Sequence, residues 1–303
     1  MYFIMKRTIS FIAAICIMFA SCNKQVEKEV EELQSQNLVP VAVRVSDFFI
    51  TQEEFENSAK TRALYSVEDY QGITILTLLF YKGTTEVYKC TQVKADPSTY
   101  TTFGGFSTSL PMGDYTMLVI GNGGSNVPTI TGKTSATYGE NTVGDTYVDS
   151  QEVNIHNTSA ISLEATLNRV NSMIAISSTD VLTADAPKVR ITTTTGGKSF
   201  NPITGFATVN TGFSSVITPS SAVGNAVNVG IYLFLATDEQ TTDVTIETLD
   251  ADDNTLFSKT IQNVSVQRNR RTIFKGAMYT NNSLTTAFQV ESDWMSNDNE
   301  VQF

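Results

Sequence analysis

An all-β chain of two β-sandwiches in tandem, with few and short helices, is predicted by three observations in the sequence. Apolar residues recur at every second position over short stretches, as in half-buried strands. Gly, Asn, Asp and Pro break these stretches at close intervals, the rhythm of a sandwich. The chain has 303 residues, enough for two domains that each bury a core.

The N-terminal element is not part of that fold. Lys6 and Arg7 precede an apolar stretch from Ile9 to Phe19 that is too short to span a bilayer as a mature helix, and Ala20-Ser21-Cys22 follows. Residues 1–21 read as a lipoprotein signal peptide cut between Ser21 and Cys22, with the Cys22 thiol acylated and the product held at the outer membrane. The other reading is an ordinary signal peptide in which Cys22 is incidental. Residues 22–38 are polar and dense in charge, with Val26, Val30 and Leu33 at helical spacing and nothing else to support a helix; they read as an acidic tether.

The first sandwich is expected over 39–166. Val39, Val41, Val43 and Val45 share one face and Pro40, Ala42 and Arg44 the other, and the run is read as continuing through Phe48-Phe49-Ile50. A polar segment from Thr51 to Thr61 interrupts. Strands are expected at Ile73 to Tyr81 and Glu86 to Thr91, joined at Lys82-Gly83-Thr84, and at Tyr115 to Ile120. Gly121 to Asp149 is read as an extended loop. Ile161, Leu163, Ala165 and Leu167 alternate on odd numbers, then Val170, Ile174 and Ile176 on even ones. That switch near Arg169 implies a bulge or bend and marks the boundary.

The second sandwich, 167–303, is expected to use Lys188 to Thr194, Ala207 to Val209, Val227 to Ala236, Val244 to Leu249, Leu256 to Ile261, Val264 to Arg268, Arg271 to Met278 and Phe288 to Glu291. Val227 to Leu235 is apolar on both faces and reads as a central strand. Asp250-Ala251-Asp252-Asp253-Asn254 resembles a calcium loop, but without the downstream Gly and Glu of an EF-hand it reads as a hairpin turn.

Chemistry-bearing constellations are sparse. A formal charge of −11 becomes about −13 once Lys6 and Arg7 leave with the signal, which argues against nucleic acid as a partner. His156 is the single histidine, so neither a Ser-His-Asp nor a Cys-His arrangement nor a multi-histidine metal site can form. With Cys16 in the signal and Cys22 carrying lipid, Cys90 is left as a free thiol in an alternating stretch, a buried hydrophobe rather than a nucleophile. Gly121-Asn122-Gly123-Gly124 has no Lys-Ser/Thr after it and reads as a loop rather than a phosphate cradle. No pair of carboxylates is singled out for glycoside hydrolysis, and Trp294 is the one tryptophan available as a sugar platform. No catalytic residue, metal ligand or cofactor is expected.

The Cys22 signal, the acidic tether, Lys60-Thr61-Arg62-Ala63 after the first strand, Leu167-Asn168-Arg169-Val170, and Asn269-Arg270-Arg271-Thr272-Ile273-Phe274-Lys275-Gly276 followed by Phe288-Gln289-Val290 and Trp294 together resemble Bacteroidales fimbrillins, the subunits of type V pili. Glu27, Glu29, Glu31 and Glu32 resemble the acidic signal by which Bacteroidetes-type lipoproteins reach the cell surface; the alternative is a merely solvated spacer. The resemblance implies two transthyretin-like, Greek-key sandwiches and a lipoprotein precursor cut between Arg62 and Ala63 by an arginine-specific protease. It also implies assembly in which a neighbouring pilus subunit's strand fills the vacated groove, with Phe288, Val290 and Trp294 as candidate donor knobs and, for a tip member, a host or bacterial surface receptor. Alternatively Arg62 is a solvated loop residue and the anchor is kept, and the C-terminal segment closes its own domain. The rival function is a surface glycan-binding lipoprotein of a polysaccharide-uptake system.

Overall fold

The computed structural model describes residues 38–46, 48–52, 61–139, 142–279 and 289–293. Ser21, Cys22, most of the tether, Phe288 and Trp294 lie outside them. Strand is almost the sole regular structure among the described residues. It starts with β1 (Leu38–Val45), β2 (Phe48–Gln52), β3 (Thr61–Tyr65), β4 (Ile75–Lys82), β5 (Thr85–Val93), β6 (Gly105–Pro111) and β7 (Gly113–Asn122). Then come β8 (Thr129–Gly132), β9 (Ser135–Thr137), β10 (Thr146–Ile155), β11 (Ile161–Ala165) and β12 (Asn168–Arg169). The second half has β13 (Ser172–Val181), β14 (Lys188–Thr193), β15 (Ser199–Phe200), β16 (Ser214–Ile217), β17 (Ala226–Leu233), β18 (Glu239–Leu249), β19 (Thr255–Gln267), β20 (Arg271–Gly276) and β21 (Gln289–Asp293). The one helical element among the described residues is a 3-10 turn, Pro97–Thr99, capped by the Asp96 carboxylate on the Ser98 N–H.

Both halves repeat one topology. In the first, β11-β1-β6 faces β12-β10-β7-β4-β5; in the second, β17-β13-β20-β21 faces β16-β14-β18-β19. β1 lies parallel to β11 and antiparallel to β6, and β13 lies parallel to β20 and antiparallel to β17. The Greek-key expectation therefore holds twice, with β21 as an extra strand beyond β20. The cores form as the alternation requires: Val39, Val41, Val43 and Val45 pack with Leu76, Leu78, Phe106 and Met117 in the first, and Ile174, Ile176, Val189, Ile246 and Phe274 in the second.

Several expectations are corrected. The first strand does not run from Val39 to Ile50; it ends at Val45, and β2 pairs with β3 instead. Residues 121–149 are not an extended loop, and Gly121 and Asn122 belong to β7. The β8–β9 hairpin lies over the outer face of the first sandwich, where Ile130 covers Leu79, Tyr81, Leu118 and Ile120. That cover explains why β4 and β7 read as continuous apolar runs. β17 is an edge strand, not a central one, and its chain then passes between the sandwiches, so Phe234 and Leu235 are buried in different clusters. Leu256 to Arg268 is not two strands. Asn263, at φ 55, forms a bulge within β19, its N–H donated to the Asp243 carboxylate at 2.9 Å. Ala207 makes only an isolated bridge to Phe200.

The parity switch near Arg169 is where the chain changes core. Leu167 packs in the first sandwich, Val170 in a cluster between the two, and Ile174 in the second. That middle cluster joins Ala136 and Tyr138 to Val148, Phe200 and Phe234, with the Phe200 and Phe234 rings stacked at 4.2 Å; β15 pairs with β9 alongside. Asp250 ties the β18–β19 turn by accepting the N–H groups of Asp252 and Asn254, each at 2.9 Å, so the acidic stretch is a hairpin turn. Cys90 is buried in the first core, as a small hydrophobe would be.

Truncating a ring in the middle cluster should uncouple the sandwiches. Phe234→Ala is expected to cost about 3–5 kcal/mol. In calorimetry, one melting transition should become two in the variant.

Candidate functional site

β1 is the central strand of its sheet, and its residue pattern suits it to two ladders at once. The Val45 N–H donates to Gly104 O at 2.9 Å on the β6 side, and the Ser46 N–H donates to Ala165 O at 2.9 Å on the β11 side. By alternation odd residues bond toward β6 and even ones toward β11. Pro40, which has no N–H, lies before the first β11 pairing at Val41 and Ile161, so it costs the ladder nothing. The four valines are at most 3 % exposed. Gly104, at φ +88, lets the chain enter β6 beside Val45; a Cβ there would meet Val67 at 2.5 Å.

Both strands beside β1 are held by the opposite sheet. The buried Gln92 of β5 donates to Gly105 O at 2.7 Å and accepts the Gly104 N–H at 2.8 Å. At the far end of β6 the Tyr115 hydroxyl donates to Pro111 O at 2.7 Å. β11 is tied in the same way: Gln151 donates to Glu164 O at 2.7 Å, and Asp149 accepts the Thr166 N–H at 3.2 Å. These clamps do not involve β1. If β1 leaves, β6 and β11 remain as two fixed walls with unpaired backbone groups and four apolar pockets.

The remaining sequence-derived residues fall in different places. Arg62 and Ala63 lie in β3, paired with Thr51 and Ile50 of β2, so the bond between them sits in a two-stranded ribbon rather than in an irregular polar segment. Val290 lies in β21 opposite Phe274, at the edge of the second sandwich. The structure therefore does not bring Arg62 and Val290 to one site.

Arg169 holds the seam. Its guanidinium grips Asp145 through two bonds, at 2.8 and 2.9 Å, reaches Asn269 of the second sandwich at 3.3 Å, and also donates to the Tyr70 and Tyr147 hydroxyls. Burial works against its charge, but Asp145 outweighs that and raises its pKa. The Tyr147 hydroxyl is pushed up by burial and then by the Asp145 charge. In the sequence Arg169 stands out by the parity switch beside it and by a short motif; Asp145 and Tyr70 are distant in sequence and carry no local signal.

Residues 124–302 match a family model described as a family of unknown function, DUF6562. No curated protein matches the chain. Among solved structures it is similar to a candidate adhesin from Bacteroides ovatus, with a TM-score of 0.50 and 12 % identity over 79 % of this chain and 87 % of that one. It is similar to a candidate polysaccharide-binding protein (DUF1812) from Bacteroides thetaiotaomicron, with a TM-score of 0.50 and 11 % identity over 85 % of this chain and 98 % of that one. The fimbrial anchor protein Mfa2 from Porphyromonas gingivalis superposes with a TM-score of 0.46 and 11 % identity over 84 % of this chain and 97 % of that one. The likeness to the first two shows a shared two-sandwich fold.

Replacing Arg169 by Ala strands a buried carboxylate. The variant is expected to lose about 3–5 kcal/mol in urea unfolding, whereas Asp145→Asn with Arg169→Met should recover most of that loss.

Proposed function

The chain belongs to the family of unknown function DUF6562, and we propose that this member is a fimbrial subunit, exported as a lipoprotein through Cys22 and assembled by strand exchange after a cut between Arg62 and Ala63. The observation that carries the reading is the placement of β1. It is the central strand of its sheet, yet the rest of the described sandwich lies C-terminal to it, so one cut beyond β2 detaches it. Its counterpart β13 is joined to the sandwiches at both ends and cannot be released that way. The clamps from Gln92, Tyr115 and Gln151 keep the walls in place for an incoming strand, which would satisfy backbone and apolar pockets together.

In this reading the acidic tether presents the precursor to an arginine-specific protease at the cell surface. Pairing of β3 with β2 means the ribbon opens before the Arg62–Ala63 bond enters a protease cleft. The C-terminal segment with Phe288, Val290 and Trp294 is the candidate donor to a neighbouring pilus subunit; β21 is an edge strand held through a single ladder with β20. A tip position would add a host or bacterial surface receptor.

A second reading, glycan binding at the cell surface, draws on a polar cleft of about 450 Å³ between the sandwiches, lined by Asp149, Asn168, Arg169, Asp238 and Arg268. Uncut protein retained on a polysaccharide column would favour it.

Arginine-specific protease acting on the mature chain should yield a new N-terminus at Ala63 by Edman sequencing, and Arg62→Ala should stay intact; cleavage only elsewhere contradicts the assignment. Labelling cells with a fatty-acid analogue should mark the protein and fail to mark Cys22→Ala. Mass spectrometry that finds Cys22 in a disulfide instead of a thioether overturns the anchor.

A further inference from the structure

The groove that β1 would vacate has definite pocket sizes, and they are small. Each of its four inward positions holds a valine, and the packing around them is closed: Val43 lies between Phe106 and Leu163 in register, Val39 beside Leu110, and Val45 beside Ala165 and Gly104. Spreading of the walls to admit larger knobs is opposed by Gln92, Tyr115 and Gln151, which bond β6 and β11 to the opposite sheet. A close-packed site of this kind responds to single methylenes and rejects rings.

The chain's own C-terminal segment does not match. From Thr280 to Phe303 no run of seven residues sets aliphatic side chains at four alternate positions. Its two most apolar runs, Leu284 to Val290 and Phe288 to Trp294, would direct Phe288, or Phe288 with Trp294, into pockets built for valine. One of the four knobs would also be polar, Thr286 in the first run and Ser292 in the second.

Resting on the strand-exchange reading above, we propose that the vacated groove selects a donor strand with β-branched aliphatic residues at four successive alternate positions, supplied by a different protein and not by a second copy of this chain. The chain then cannot form a homopolymer through this groove. It accepts one heterologous strand, whose outward positions, held in β1 by the exposed Pro40, Ala42 and Arg44, make no demand on the groove.

The test uses the mature chain cut by arginine-specific protease and freed of the residues up to Arg62 by gel filtration. Three fluorescent peptides serve as probes: residues 38–45, residues 280–303, and residues 38–45 carrying Val41→Phe and Val43→Phe. The first should bind, the other two should bind at least about 100-fold more weakly, and the cut protein alone should stay monomeric. Comparable binding of residues 280–303, or ladders formed by the cut protein alone, overturns the selectivity while leaving strand exchange standing. Binding by none of the peptides, residues 38–45 included, overturns strand exchange itself and this inference with it.

Discussion

The strand between β6 and β11 meets two requirements at once. Its valines close the first core, and its backbone closes the ladders on both sides, so neither the apolar pockets nor the hydrogen-bonding edges of that sheet are complete without it. A central strand of this kind is normally the least removable part of a sandwich. Here the side chains of the opposite sheet take over the task of holding β6 and β11. Gln92 and Tyr115 pin the two ends of β6, and Gln151 with Asp149 pins β11, so the sheet is divided into a frame and an insert.

The duplicated topology sharpens that division. The same strand order appears in both halves, yet only the first presents its central strand at the side from which the chain enters. The second sandwich keeps β13 locked between β17 and β20 and adds β21 at the edge. Between them, the stacked Phe200 and Phe234 rings and the Arg169–Asp145 pair join the halves through an apolar cluster and a desolvated ion pair.

Much of this was legible in the sequence. Val39 to Val45 announced β1 because its sheet is buried on one face and solvated on the other, which writes a period of two into the residues. β17 misled because apolar residues on both faces ordinarily mark a central strand; in this fold the second apolar face meets the other domain at Phe234. The β8–β9 hairpin was hidden because its Gly- and Thr-rich residues cover a surface supplied by β4 and β7, and local pattern does not record such a partner. Asn263 broke the alternation of β19 by a single bulged residue that resembles a turn. The clamps were invisible for the same reason as Asp145 and Tyr70: a lone Gln or Tyr acquires its role only from the backbone atom the fold brings to it.

The account stands on β1 being an insert within a self-supporting frame. Hydrogen exchange, followed by mass spectrometry before and after the cut and release of β1, tests it most directly. Protection should fall in residues 105–111 and 161–165 alone, with the second sandwich unchanged, and should return when a peptide of residues 38–45 is added. Loss of protection throughout the first sandwich, or no recovery with the peptide, would show that β1 is part of the frame.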